Sequence, residues 1–105
     1  ETRNLANKLS LLRMFADNSG KMNKSISDIN GSILIVSQFT LYANTKQGNR
    51  PNFLNAAHST LAKKMYDYFI DLLKVNHKDV KTGKFGENMN IQLINDGPVT
   101  LLLES

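Results

Sequence analysis

The chain is 105 residues long, with 13 Lys and Arg against nine Asp and Glu, a net charge of +4, two histidines and no cysteine. That length suits one domain with its own core, and 41% hydrophobic and 21% charged residues speak against disorder. Lack of cysteine excludes disulfides, thiolate metal sites and a cysteine nucleophile and fits a reducing cytoplasm; no apolar run nears membrane-spanning length, so no membrane partner is expected.

The first residues already read as helix. Thr2 can cap a segment in which Leu5, Leu9 and Leu12 recur on one face, ending near Arg13. Because Glu1 stands where a helix is about to begin, the chain reads as a fragment whose start lies upstream. Met14 to Ala16 reads as a short strand, stopped by the turn cluster Asp17-Asn18-Ser19-Gly20. Lys21 to Asn30 is polar with isolated apolar residues, so it reads as loop with a brief strand. Ile33 to Ala43 then reads as the central strand. Ile33, Ile35, Ser37, Phe39 and Leu41 share one face and Leu34, Val36, Gln38, Thr40 and Tyr42 the other.

Residues 44 to 52 have no apolar side chain except Pro51 and form an exposed loop carrying Lys46 and Arg50. These two are either solvated or phosphate contacts at the lip of a site. From a cap at Ser59 or Thr60, a second helix runs to about Val75 with a stripe of Leu61, Met65, Phe69, Leu72 and Leu73. Met65 and Phe69 read as core. His58 and His77 fall outside any metal-ligand spacing, so no metal is expected. Val80 to Asn88 reads as a glycine-containing connection, and Met89 to Leu93 and Val99 to Leu103 as two alternating strands around Asn95-Asp96-Gly97-Pro98. The order predicts an α+β fold, a mixed sheet with two helices layered on it, within one domain.

Two places carry possible chemistry. Ser37 and Gln38 interrupt an apolar run, where an unsatisfied buried polar group costs about 1–3 kcal/mol. They are either satisfied within the chain or offered to a ligand. Gly97-Pro98 between two strands is either an ordinary turn or a rigid backbone wedge that another molecule approaches closely.

Ser37-Gln38-Phe39-Thr40-Leu41 and Asn95-Asp96-Gly97-Pro98-Val99-Thr100 resemble the two signature motifs of the D-aminoacyl-tRNA deacylases. Gly20 to Asn23, Gly48 to Phe53, and Thr82 to Gly86 with Met89 resemble the same family in order and spacing, so the likeness runs through the whole chain. The two strands that usually open the family's fold are not in this sequence. The resemblance implies a homodimeric, cofactor-free hydrolase that cleaves the ester between a D-amino acid, or mischarged glycine, and the terminal ribose of tRNA. It implies that Gly97 and Pro98, joined by a cis peptide, enter the other subunit's pocket, where their carbonyls exclude L side chains. Gln38, Phe39 and Thr100 are then the catalytic candidates, with Ser37, Gly97 and Pro98 binding substrate and Lys46 and Arg50 touching tRNA. No His-Asp pair stands beside Thr100 in the sequence, which favours attack by water assisted by the 2′-hydroxyl of the tRNA. A tRNA-binding module without hydrolysis is the alternative from a different class.

Overall fold

Two amphipathic helices carry most of the core. The computed structural model describes residues 1–105, with α1 at Thr2–Leu11 and α2 at Ser59–Asn76. The helices pack on each other, and the buried apolar residues are Ala6 of α1 with Ile70 and Leu73 of α2. Leu73 is the most deeply buried, at 1% exposure; burying a leucine contributes about 1.5–3 kcal/mol. Leu5, Leu9, Phe69 and Leu72 flank this centre half-buried, in keeping with the stripes expected of both helices. The stripe is not covered along its whole length: Leu61 and Met65, near the start of α2, are exposed, which corrects the reading of Met65 as core.

The caps differ from expectation too. Thr2 is already helical, and no side chain caps α1. The residue before α2 is His58, whose Nδ1 accepts the Thr60 N–H at 3.3 Å, so an imidazole does what a serine or threonine hydroxyl usually does. The other histidine closes the same helix. His77 is buried, and its Nε2 lies 2.8 Å from the Ser10 hydroxyl of α1. Ser10 itself donates to the Ala6 carbonyl at 2.9 Å. With that proton committed, the ring donates from Nε2, and the bond ties the end of α2 to α1.

The strands form two separate pairs. β1 (Phe15–Ala16) and β2 (Met22–Lys24) are antiparallel, joined by the expected turn. Asp17 organises that turn: one carboxylate oxygen accepts the Ser19 and Lys21 N–H groups at 2.8 and 3.0 Å, and the other accepts the Asn23 amide at 2.8 Å. The Asn23 amide, then the Lys21 N–H, hold the Asp17 carboxyl below the ordinary aspartate range. β3 (Ile33–Ile35) and β4 (Val80–Thr82) pair in parallel, Ile33 with Val80 through Ile35 with Thr82. β4 lies where a connection was expected.

The longest departure concerns Ile33 to Ala43, which is a strand only as far as Ile35. Its partner ends at Thr82, and the ladder closes with the Gly83 N–H donating to the Ile35 carbonyl at 3.0 Å. Beyond that point no neighbouring strand supplies hydrogen bonds, and Phe39–Tyr42 wind into a 3₁₀ turn. The alternation of faces therefore fails after Val36, and Phe39, Leu41 and Tyr42 are all exposed.

Neither Met89 to Leu93 nor Val99 to Leu103 is a strand. Both have the side-chain pattern and neither has a strand paired beside it within the chain; every residue from 90 to 102 is exposed, Ile94 at 93%. The molecule is correspondingly elongated, 48 × 29 × 27 Å, with a radius of gyration of 15.8 Å. A compact domain of this size would have about 13 Å.

Ser10→Ala is expected to destabilise the fold by about 1–2 kcal/mol, the unpartnered N–H of a buried imidazole outweighing alanine's better helix propensity. Urea unfolding checks this as a lower midpoint at unchanged slope; an unmoved midpoint would show that the Ser10–His77 bond contributes nothing.

Candidate active site

The end of β3 delivers the first candidate segment. Ser37 is half-buried, and Gln38 follows in extended conformation at φ −152° and ψ 97° before the 3₁₀ turn begins. The Gln38 side-chain amide donates to the Thr40 hydroxyl, which folds the motif on itself and leaves the amide oxygen as a free acceptor. The bland possibility, polar groups satisfied within the chain, thus holds for the Gln38 amide nitrogen. Phe39 stands edge-on to Phe53, ring centroids 4.9 Å apart, so the loop after the 3₁₀ turn supports the motif's aromatic ring.

That loop is closed at its base by Asn44 and Asn52, which exchange backbone hydrogen bonds of 2.8 and 2.9 Å. The Asn44 side chain also accepts the Lys46 N–H at 2.9 Å, fixing the start of the loop. Lys46 borders an open concavity of about 350 Å³ with Leu41, Tyr42, Ala43, Asn44, Thr45 and Asn55. Arg50 is exposed within the same loop. A larger and more polar cleft, about 380 Å³, lies between the 26–32 turn and the end of α2 and shares no residue with these motifs.

The second candidate segment is the exposed turn around Gly97-Pro98. The peptide between them is cis, as the resemblance implies. Gly97 has φ +112°, a backbone region that L side chains rarely adopt. Thr100 is exposed and has no hydrogen bond to a base. Both imidazoles are engaged elsewhere, His58 capping α2 and His77 bound to Ser10. No hydrogen bond joins the 95–100 turn to Ser37–Tyr42 within the chain.

The supporting contacts around the end of β3 are not legible in the sequence, although Gly83, Phe85 and Met89 fall in stretches that resemble the family. Tyr66 of α2 places its hydroxyl 3.2 Å from the Ile35 carbonyl and 3.3 Å from that of Gly83. Phe85 packs on the Tyr66 ring at 5.4 Å, and the Lys63 ammonium lies 5.9 Å from the Phe85 centroid. Gly83 is the seat for Met89: a methyl group built at Gly83 would stand 2.7 Å from the methionine sulfur. A tyrosine flanking an apolar stripe was the available signal, since a half-buried phenol requires a partner. The arrangement offers amides, hydroxyls and backbone groups and no paired general base. It suits holding a substrate whose bond is already activated.

Residues 1–104 match the family model described as D-Tyr-tRNA(Tyr) deacylase. Over 101 residues the chain is 50% identical to a D-aminoacyl-tRNA deacylase of Bacillus cytotoxicus and 52% identical to one of Thermotoga petrophila. These matches cover 96% of this chain and 69% and 68% of the two relatives. A solved structure of the c-Myc DNA Unwinding Element Binding Protein superposes with a TM-score of 0.90 at 41% identity, covering all of this chain and 72% of that one. The α+β fold of two helices on short strands is therefore shared with it.

Gly97→Ala is expected to rearrange the 95–99 turn, because a positive φ disfavours a β-carbon by about 1–2 kcal/mol. The exposed segment around it can absorb that locally, so the helices should be unaffected. In amide NMR spectra the shifts should move at Asp96 to Val99 and stay fixed in α1 and α2; unmoved shifts around residue 97 would show that the turn tolerates a side chain.

Proposed function

The chain belongs to the D-Tyr-tRNA(Tyr) deacylase family, and from that membership we propose that it hydrolyses the ester linking a D-amino acid, or mischarged glycine, to the terminal ribose of tRNA in the cytoplasm. The observation that carries this reading is the likeness along residues 1–104, which takes in both halves of the site. Water adds to the ester carbonyl carbon, the bond to the ribose oxygen breaks, and that oxygen takes up a proton. The products are a free D-amino acid and tRNA.

The roles follow from what each half offers. The backbone N–H near Phe39 stabilises the developing oxyanion, while Gln38 and Ser37 hold the ester and the terminal adenosine. An aminoacyl ester is activated, so positioning replaces a strong base, and the neighbouring 2′-hydroxyl of the tRNA assists the attacking water. Thr100 shapes the pocket or binds the substrate's amino group. The carbonyls of Gly97 and Pro98 occupy the space an L side chain needs, so chirality is read by exclusion and glycine passes.

Because the two halves are not joined within one chain, the working unit in this reading is a homodimer, with Gly97-Pro98 of one subunit entering the pocket of the other. Exposure of Phe39, Leu41, Tyr42 and Leu54 beside one half, and of the unpaired 90–102 segment carrying the other, supports it. Lys46 and Arg50 contact phosphate at the pocket's edge.

The direct test offers D-Tyr-tRNA and L-Tyr-tRNA to the chain and to Thr100→Ala. Release from the D-ester alone is expected from the wild type, and Thr100→Ala should retain activity within about tenfold, a change of about 1.4 kcal/mol in the barrier. Loss by several orders of magnitude with binding intact would make Thr100 the nucleophile; binding without any release would make the chain a tRNA-binding module.

Replacing Lys46 and Arg50 together by alanine should weaken tRNA binding and reduce the slope of log K against log salt by about 1–2, as fewer counterions are released. An unchanged slope in a filter-binding titration would remove both residues from the tRNA contact.

A further inference from the structure

We infer that Tyr66 is a positioning residue for deacylation: its hydroxyl pins the point from which both half-sites leave the core. Its part in catalysis rests on the deacylase reading, while the pin itself rests on geometry. The β3–β4 ladder is three residues long and ends at Ile35 and Thr82. Immediately past it, the Ile35 carbonyl accepts from both the Gly83 N–H at 3.0 Å and the Tyr66 hydroxyl at 3.2 Å. The same hydroxyl also faces the Gly83 carbonyl at 3.3 Å. One phenolic proton is therefore shared between the two strands where they part, and both bonds are accordingly long.

What leaves from that point is the site. Two residues beyond Ile35 stands Ser37, and the next residues are Gln38 and Phe39. Past Gly83 the chain passes Phe85, which lies on the Tyr66 ring, and reaches Met89, which covers Gly83. Met89 begins the segment that carries Gly97-Pro98. Tyr66 is supplied by α2, whose other face is buried against α1, so the pin is anchored in the most deeply packed element. Without the hydroxyl, the Ile35 carbonyl keeps one of its two donors, and the Gly83 carbonyl loses its one donor within the chain. The ladder would then fray from its open end, and Ser37 to Phe39 would lose their fixed orientation. Positioning errors of about 1 Å cost on the order of 100-fold in rate.

The test compares Tyr66→Phe with Tyr68→Phe. Tyr66→Phe keeps the ring on Phe85 and removes the hydroxyl. Tyr68 lies on the same helix, but its hydroxyl accepts from the Arg3 guanidinium at 3.0 Å, away from the ladder. Tyr66→Phe should lower kcat on D-Tyr-tRNA by at least about tenfold with KM within about twofold, and should speed amide exchange at Gly83, whose N–H closes the ladder. Tyr68→Phe should do neither. Unchanged exchange at Gly83 overturns the pin. Faster exchange with unchanged kcat overturns its role in catalysis, and protection lost equally across α1 and α2 makes Tyr66 a general structural residue instead. Should the wild type leave D-Tyr-tRNA intact, the deacylase reading fails and the exchange comparison alone decides whether the hydroxyl pins the ladder.

Discussion

A parallel pair of strands only three residues long governs this molecule. Parallel strands need a crossover, and here it passes through the 3₁₀ turn, the Asn44–Asn52 loop and α2 before β4 returns beside β3. The pair stops early because β4 offers no backbone partner past Gly83. Where it stops, Ser37 and Gln38 are released from sheet geometry and the chain coils into the turn that presents Phe39. The ladder's length thus sets where the Ser37–Tyr42 motif begins. The helices determine how firmly that point is held, since α2 joins the α1 interface around Leu73 to the ladder end at Ile35.

The helices, the first hairpin and the exposed loop were legible in the sequence because their signals are local. Leucines at helical spacing, a turn of Asp-Asn-Ser-Gly, and nine residues with almost no apolar side chain each determine their own surroundings. What failed was pairing. Ile33 to Ala43 has the alternation of a long strand, but a strand exists only as far as another backbone runs beside it. The same reason accounts for Met89 to Leu93 and Val99 to Leu103, whose pattern is right and whose neighbours are lacking within the chain. Val80 to Thr82 errs in the opposite direction: a three-residue strand between a histidine-lysine turn and two glycines is too short for periodicity to register, although two of its residues are β-branched. The candidate motifs are legible as a likeness, and the contacts that support them are not. Tyr66, Phe53 and Gly83 act through contacts made across 14 to 31 positions of chain, which no local pattern encodes.

The openness of the site agrees with the chemistry assigned to it. A nucleophilic hydroxyl needs an oriented base and usually a third group to hold that base. Here each imidazole serves a helix end. His58 accepts from the first turn of α2, and His77 donates to Ser10 at its last, so neither is available beside Thr100. In the proposed reaction, the amides and backbone groups near Gln38 and Phe39 suit an ester already primed for attack. Most of the barrier would be met by holding two ends of a large substrate still, and little of it by proton transfer from the protein.

Gly97 adds a point about handedness. Its φ of +112° is the reflection of a torsion that L-residues adopt freely in extended chains. A φ of that sign is ordinary for a D-residue, whereas encoded residues other than glycine rarely adopt it. In the proposed reaction, this is the position that tells mirror-image substrates apart. In that reading the discriminating turn itself carries a torsion of mirror-image sign, held by the one encoded amino acid that is its own mirror image.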